Sequence, residues 1–202
     1  MNYFHYTDKE IEYLSKKDEE LGEAIERIGM IKREVNPDIF CCLVKMMVGQ
    51  LVSNKVHKVL WGRFLDKLGE VTPTTISNCS TLEIEMFGLS KKKAINIKRI
   101  ADEVLSGSLD LDKITLLSDE LAIKELVKLE GVGVWTAEML LLFSLQRPNI
   151  FSFKDLALHR GLRELYGHAE ITPQIFERYR KRFTPYCSVA SLYLWEIASG
   201  SK

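Results

Sequence analysis

Apolar side chains recur every three or four residues along most of this chain, with polar and charged residues between them. This spacing matches the 3.6-residue turn of an α-helix, whereas the two-residue alternation typical of a strand never persists. We therefore predict an all-α fold. The predicted helices span residues 18–28, 37–52, 55–68, 74–78, 81–87, 91–105, 118–128, 135–145, 156–166, 173–183 and 189–198.

Glycines end several of these predicted helices. The segments FGLS, SGSL, EGVG and LYGH each place a glycine where a helix commonly ends on a residue with positive φ. The connecting segments are short, and no Pro/Gly/Ser-rich linker or low-complexity tract interrupts the chain. The pattern predicts a compact helical bundle.

The charge balance limits the partners that the chain can attract. Its 202 residues include 28 basic and 28 acidic side chains, so the net charge is zero, and 46% of the residues are hydrophobic. A chain without a global field attracts a polyanion only through a local basic patch. Nucleic acid is therefore a possible partner only at such a patch.

The compartment follows from the N-terminus and the cysteines. The opening residues MNYFHYTDKE are too polar for a signal peptide, and the longest apolar run, MLLLFSL, is too short to span a bilayer. The cysteines form no Cys-x-x-Cys pair and no cluster for zinc or iron and sulfur. We expect a reduced cytoplasmic protein with no membrane partner and no iron–sulfur cluster. The four cysteines are Cys41, Cys42, Cys79 and Cys187.

The segment LEGVGVWTAEMLLLF interrupts good helix formers with two glycines one residue apart. Gly131 and Gly133 allow a sharp turn between two helices, which predicts a helix-hairpin-helix. The second helix of such a hairpin begins with unpaired N–H groups at the positive end of its dipole, where a phosphate binds well. A plain turn between two packed helices remains the alternative for this pattern alone.

Four segments, in order, resemble the helix-hairpin-helix DNA glycosylase superfamily. They are VGQLVSNKV, FGLSKKKAINIKRIADEVLSG, the hairpin segment LEGVGVWTAEMLLLFSLQRPNIFSFKDLALHRGL and TPYCSVASLYLW, and together they cover roughly residues 37–195. Within the superfamily, the chain most resembles the DNA-3-methyladenine glycosylase II branch, which excises alkylated bases.

The resemblance implies a compact two-lobed helical glycosylase core that fills residues 1–202. One lobe would comprise about residues 36–155, with the hairpin at 118–145, and the other about residues 1–35 with 156–202. The branch carries a β-rich domain before its helical core, and a chain of this length has room only for the core. We therefore expect the β-rich domain to be missing.

The resemblance also implies the chemistry, because the superfamily's hairpin is followed by an aspartate, here Asp155. A carboxylate beside C1′ stabilises the positive charge that develops on the sugar when the N-glycosidic bond breaks. The alternative for Asp155 is an N-cap of the helix that follows, and one residue can serve both purposes. Trp135 stands where bifunctional relatives have the Schiff-base lysine, which predicts a monofunctional enzyme without AP lyase activity.

The same resemblance implies a base pocket. Trp135 and Trp195 would stack on an electron-deficient alkylated purine, with Met139 and Tyr193 as further pocket walls. The alternative is that these residues lie in the core, as apolar residues of helices usually do.

The expected DNA contacts combine an apolar wedge with phosphate-binding groups. Leu51 would fill the space left by the extruded base, although a leucine is more often a core residue. Gln50 and Ser53 would bind the duplex beside it. Phosphates would bind the hairpin amides and nearby basic side chains. The resemblance also implies a monovalent cation, sodium or potassium, which would bind main-chain carbonyls at the hairpin. The phosphate-binding set is Lys91, Lys92, Lys93, Gly131, Val132, Gly133 and Arg160, and the carbonyls are those of Val127, Leu129 and Gly131.

These interpretations lead to one main hypothesis and two alternatives. The main hypothesis is a monofunctional DNA N-glycosylase of base-excision repair that removes alkylated purines of the 3-methyladenine type from damaged double-stranded DNA. It needs no cofactor, and we expect it to be a monomer. The first alternative is a glycosylase for oxidised or deaminated purines. The second is a non-catalytic helix-hairpin-helix module that binds DNA.

Overall fold

The computed structural model describes residues 2–200, and thirteen α-helices account for most of them. The only strands among these residues are two of two residues each, paired antiparallel. The predicted all-α fold is confirmed. The elements are β1 Asn2–Tyr3, α1 Asp8–Lys17, α2 Glu19–Ile28, β2 Glu34–Val35, α3 Ile39–Gly49, α4 Asn54–Leu68, α5 Pro73–Ser77, α6 Thr81–Met86, α7 Lys91–Leu105, α8 Leu111–Thr115, α9 Asp119–Leu126, α10 Val134–Phe143, α11 Leu156–Tyr166, α12 Pro173–Phe183 and α13 Cys187–Ala198.

Two helices, α1 and α8, were not predicted. Helix α1 contains few apolar residues, of which only Leu14 is buried, but a capping box between Thr7 and Glu10 starts it. Helix α8 has five residues, too few for a period, and begins at the side-chain cap of Asp110. The sequence Thr-x-x-Glu was the signal that could have revealed α1.

Side-chain caps and glycines set most helix ends. Ser53, Ser90 and Thr172 each accept the backbone N–H three residues ahead at the start of α4, α7 and α12. Gly167 ends α11 in the left-handed conformation at φ 68°. Helices α4 and α7 have 15 residues each. No helix within residues 2–200 combines the length and apolarity needed to cross a bilayer.

The chain divides into two units. The first unit comprises the stretch that ends at Val35 and the stretch that begins at Leu141, and the second comprises Asn36–Leu140. The second boundary therefore lies inside α10, whereas the sequence placed it near residue 155. The reason is that the segment after α10 is bonded to α13. Ser188 donates its N–H to Pro148 O at 2.9 Å and its hydroxyl to Arg147 O.

Helices α11 and α13 pack tightly in the first unit. A Cβ atom on Gly161 of α11 would lie 2.2 Å from the carbonyl oxygen of Leu194 on α13, so only glycine permits this approach. A buried polar group ties α2, α11 and α12 together. Asp18, which is 3% exposed, caps α2 and accepts hydrogen bonds from Tyr166 and Arg182. Each of its bonds offsets part of the cost of burying the carboxylate.

Helix α7 is central to the second unit, where it contacts α3, α5 and α6. Its apolar face buries Ile97 and Ile100 completely or nearly so, and α4 contributes the fully buried Phe64. Burial of such side chains is the main favourable term in folding. The unit therefore holds its own apolar core.

We predict that Gly161→Ala destabilises the protein by roughly 2–3 kcal/mol, because the added methyl group forces α11 and α13 apart. Gly62→Ala, a matched control inside α4, should raise stability by roughly 0.5–1 kcal/mol, since alanine favours a helix and its Cβ would meet nothing within 4 Å. Urea unfolding measures both. Equal stability of Gly161→Ala and wild type would contradict the close approach.

Candidate functional site

Asp155 lies in the turn before α11 and is 7% exposed. Its Oδ1 accepts the N–H groups of Ala157 at 2.9 Å and Leu158 at 3.0 Å, so the residue is the N-cap of α11. The indole Nε1 of Trp195 donates to the same oxygen at 3.3 Å. Three N–H groups and the positive end of a helix dipole stabilise a negative charge at this position. The N-cap interpretation is confirmed. The same position also suits a charged carboxylate, so capping does not rule out a chemical role for Asp155.

Trp195 also contacts an aromatic ring and a cation. Its indole stacks on Phe143 at 5.7 Å between centroids and 16° between planes. The guanidinium of Arg33 lies 5.7 Å from the indole centroid and 3.1 Å from Glu196 Oε1. These contacts fix the indole plane and aim Nε1 at Asp155. The sequence did not identify Phe143 or Arg33, because neither lies near Trp195 in the chain.

The other predicted pocket residues differ in burial. Tyr193 is fully buried, and its hydroxyl donates to Gly29 O at 3.1 Å, so it is placed as a core residue with no surface for a base. Burial raises its pKa above the ordinary tyrosine value. Met139 is 3% exposed. Trp135 lies in the first turn of α10 and is partly exposed.

Leu51 follows the end of α3 and has an unusual exposure. Its relative accessible surface is 103%, and its φ is 59°. A leucine in the left-handed region costs about 1 kcal/mol, and full exposure gives up the stabilisation that burial would bring. The core alternative is therefore wrong for this residue, whereas an apolar wedge needs this exposure.

Three neighbours of Leu51 have polar side chains that bind the protein itself. Gln50 donates its side-chain N–H groups to Gly131 O at 2.9 Å and Thr136 Oγ1 at 3.0 Å. Lys93 donates to Gln50 O at 2.6 Å, and burial lowers the pKa of its ammonium. Ser53 caps α4. The sequence predicted these three as DNA contacts, but it could not show that their polar atoms have internal partners.

The two hairpin glycines lie between α9 and α10 and have different surroundings. Gly131 has φ 87°, and a Cβ there would lie 2.7 Å from Asn96 Nδ2, so the fold itself requires glycine. Gly133 has open space around it and no positive φ. Val132 between them is buried. Only Gly133 thus leaves room for an approaching partner.

Three of the predicted phosphate contacts have exposed side chains. Lys91 and Lys92 occupy the first turn of α7, and Arg160 lies on α11 with Nε 3.9 Å from Glu164 Oε1. Lys55, in the first turn of α4, is exposed as well and was not singled out from the sequence. Its position two residues after GQLVS was the available signal.

Two of the three carbonyls suggested for a monovalent cation accept hydrogen bonds from N–H groups. Leu129 O accepts the N–H of Val132 at 3.0 Å, and Gly131 O accepts the amide of Gln50. An N–H directed at an oxygen competes with a cation there. The cation stays a prediction, and no step below depends on it. Within residues 2–200, no three His, Cys, Asp or Glu side chains are placed to hold a metal.

Relatives resemble this chain over most of its length. A Bacillus subtilis relative is 27% identical over 166 residues, which are 78% of this chain and 58% of that protein. DNA-3-methyladenine glycosylase 1 of Schizosaccharomyces pombe is 28% identical over 161 residues, which are 77% of this chain and 71% of that protein. The chain thus spans less than two thirds of the first relative's length.

Solved structures with the same fold include two named glycosylases. The crystal structure of DNA-3-methyladenine glycosidase from Bacillus halodurans matches with a TM-score of 0.83 and 32% identity, over 98% of this chain and 93% of that chain. Schizosaccharomyces pombe 3-methyladenine DNA glycosylase in complex with abasic DNA matches with a TM-score of 0.83 and 26% identity, over 93% of this chain and 95% of that chain.

The family match covers residues 44–185, and the family is described as HhH-GPD superfamily base excision DNA repair protein. These residues include the turn at residues 49–53 that carries Leu51 (the wedge turn), the hairpin and Asp155, and they make up well over half of the chain. The resemblance expected from the sequence is confirmed, and the chain belongs to the HhH-GPD superfamily of base excision DNA repair proteins.

Proposed function

We propose that this protein is a monofunctional DNA N-glycosylase of base-excision repair. Its substrate would be an alkylated purine of the 3-methyladenine type, flipped out of duplex DNA. The observation that carries the proposal is the buried carboxylate of Asp155, which three N–H groups hold beside the indole of Trp195. The names of the relatives described above support this substrate class.

The proposed reaction uses Asp155 where positive charge develops. The bond between C1′ and the purine nitrogen breaks, and the base leaves with the bonding electrons. A 3-methylated adenine is already cationic, so it leaves as a neutral molecule and needs no acid. Water then adds its hydroxyl to C1′ and releases a proton to solvent. The fixed charge of Asp155 stabilises the oxocarbenium-like transition state.

Trp195 acts on this carboxylate as a positioning residue. Its N–H fixes one oxygen of Asp155, while stacking on Phe143 and the nearby Arg33 hold the indole plane. A preorganised carboxylate needs no reorientation in the transition state, which is how fixed charges accelerate reactions. Stacking of the damaged base on Trp195 or Trp135 stays a prediction.

The absence of AP lyase activity is part of the proposal. A lyase needs an amine that attacks C1′ and forms a Schiff base. Trp135 occupies the position where bifunctional relatives carry that lysine, and an indole cannot act as the nucleophile. Lys154 is exposed beside Asp155 in the chain, so it is the residue to examine first if an amine is ever trapped.

Contact with DNA would rest on groups of the second unit. Leu51 is the exposed wedge, and Gly133 leaves the hairpin backbone open to a phosphate. Lys91 and Lys92 add exposed positive charge. With a net charge of zero, we expect modest affinity for DNA. A monomer, as expected for this fold, needs no partner chain for these contacts.

We predict that Asp155→Asn lowers single-turnover release of 3-methyladenine from methylated duplex DNA by at least about 100-fold. The amide still caps α11, so the fold should persist. Asp110→Asn, at the exposed N-cap of α8, is the matched control and should leave release unchanged. Equal release by Asp155→Asn and wild type would exclude Asp155 from the chemistry. Duplex binding without release by wild type would favour a DNA-binding module.

Trp195→Phe should lower the single-turnover rate about tenfold, because a hydrogen bond to a charged group contributes about 1.5 kcal/mol. Affinity for an uncleaved duplex should stay within about twofold, since the aromatic ring remains. Trp61→Phe removes an indole that stacks on Phe64 in the second unit and serves as the control. A loss of affinity without a loss of rate would show that Trp195 binds the base instead.

We also predict that borohydride traps no covalent complex between the protein and abasic DNA. Strand breaks should appear only after alkali treatment of the reaction products. A trapped complex would contradict the monofunctional mechanism, and its disappearance in Lys154→Ala would then identify the amine.

A further inference from the structure

Lys93 differs from the two lysines before it. Lys91 and Lys92 are exposed, whereas Lys93 is half-buried, and its ammonium donates to Gln50 O at 2.6 Å and Val48 O at 3.3 Å. The nitrogen of this ammonium and the two carbonyl oxygens all belong to the second unit. A lysine side chain that binds backbone oxygens in this way is not placed to bind phosphate. Its position under the wedge turn suggests another role.

The two oxygens that Lys93 binds belong to the end of α3. The last carbonyls of a helix have no partner within the helix, and a cation there also meets the negative end of the dipole. Many helices solve this problem with a left-handed glycine after the last turn. In α3 that left-handed position is Leu51, so Lys93 supplies stabilisation where the backbone conformation is unfavourable.

The bond to Gln50 O also controls the direction of Leu51. This oxygen belongs to the peptide that joins residues 50 and 51, and rotation about φ of Leu51 turns that peptide relative to the leucine side chain. Holding the oxygen therefore restricts φ of Leu51. Without the ammonium, the strained left-handed conformation competes with ordinary negative φ values, which cost less.

Two other side chains support the same turn from other sides. The amide of Gln50 reaches Gly131 O and Thr136 Oγ1 of the hairpin. His57 packs against Gly49, where a Cβ atom would lie 2.8 Å from the ring, and its Nε2 donates to Lys45 O at 2.9 Å. These contacts fix the helix end and the hairpin. Only Lys93 holds the oxygen next to Leu51 among the hydrogen bonds described for residues 2–200.

We propose that Lys93 is a positioning residue that keeps Leu51 in its exposed, left-handed conformation before DNA binds. The inference rests on the proposed function, because it assumes that Leu51 enters the base stack. A preformed wedge avoids the ordering cost that a flexible turn would pay on binding. The role matters only when a base must leave a duplex, since a single strand has no opposing stack to fill.

The test compares Lys93→Met with Lys67→Met. Lys67 is an exposed lysine near the end of α4, roughly 20 Å along the helix from the wedge turn that precedes it. Four measurements are made on each: thermal unfolding, amide hydrogen exchange of residues 49–53, and single-turnover base release from methylated duplex and from methylated single strands. For Lys93→Met we expect at least tenfold faster exchange in the turn and at least tenfold slower release from duplex. Release from single strands should be unchanged. Lys67→Met should match wild type throughout.

A double variant separates the wedge from general damage. If Lys93 acts through Leu51, then adding Lys93→Met to Leu51→Ala lowers duplex release no further. Lys93→Gln keeps a neutral hydrogen-bond donor, so its rates of hydrogen exchange and base release should lie between those of wild type and Lys93→Met. If Lys93→Met does not fold, the same comparison is made with Lys93→Gln.

Three results would overturn the inference. They are unchanged exchange in the turn, equal losses on duplex and single strands, and additive losses in the double variant. If wild type releases no base from either DNA, the proposed function fails, and hydrogen exchange still decides whether Lys93 holds the turn.

Discussion

The close approach of α11 and α13 is the constraint on which the candidate active site depends. Gly161 has no side chain, so the α11 backbone can lie against the carbonyl of Leu194. The next residue on α13 is Trp195, and the residue before α11 is Asp155. Bringing the helix axes together at Gly161 therefore brings the indole N–H within 3.3 Å of the carboxylate. A packing requirement and a chemical requirement are met by the same pair of helices.

The wedge turn follows a different physical logic. Burial and standard helix ends stabilise most of the chain, but Leu51 combines full exposure with positive φ, and both cost free energy. Such a conformation persists only when its surroundings hold it. The surroundings here are the ammonium of Lys93, the amide of Gln50 and the ring of His57, which bind or pack against the helix end and the hairpin. Stability lost at one residue is compensated by polar contacts at its neighbours.

Much of the fold was predictable because it depends on local signals. The apolar period, together with start and stop signals at helix ends, located eleven helices, and glycines marked several of their ends. Asp155 was identified both as an N-cap and as the aspartate that follows the hairpin, and the structure shows the cap directly. Helix α1 was missed because it contains few apolar residues, so its capping box was the better signal.

The errors within the site come from contacts between residues far apart in the sequence. Nothing near Lys93 in the chain distinguishes it from Lys91 and Lys92, and its carbonyl partners lie more than 40 residues away. Tyr193 is two residues from Trp195 and was predicted as a pocket residue. Residues two apart on a helix point to nearly opposite sides, so Tyr193 is buried in the core, where its hydroxyl donates to Gly29 O. Residue type predicts what a side chain is able to bind, whereas tertiary packing decides what it does bind.

This distinction also explains how a chain of zero net charge could bind the polyanionic partner that the proposed function requires. Several cations have internal partners: Lys93 binds the end of α3, and Arg182 binds the buried Asp18. Such residues contribute to stability and not to the surface field. Under the proposed function, the groups left for DNA are a few exposed lysines, backbone amides at the hairpin and the apolar side chain of Leu51. Amides and apolar contacts release few counterions, so binding through them depends less on salt than binding through lysine and arginine. Recognition by shape and insertion is therefore compatible with a neutral protein.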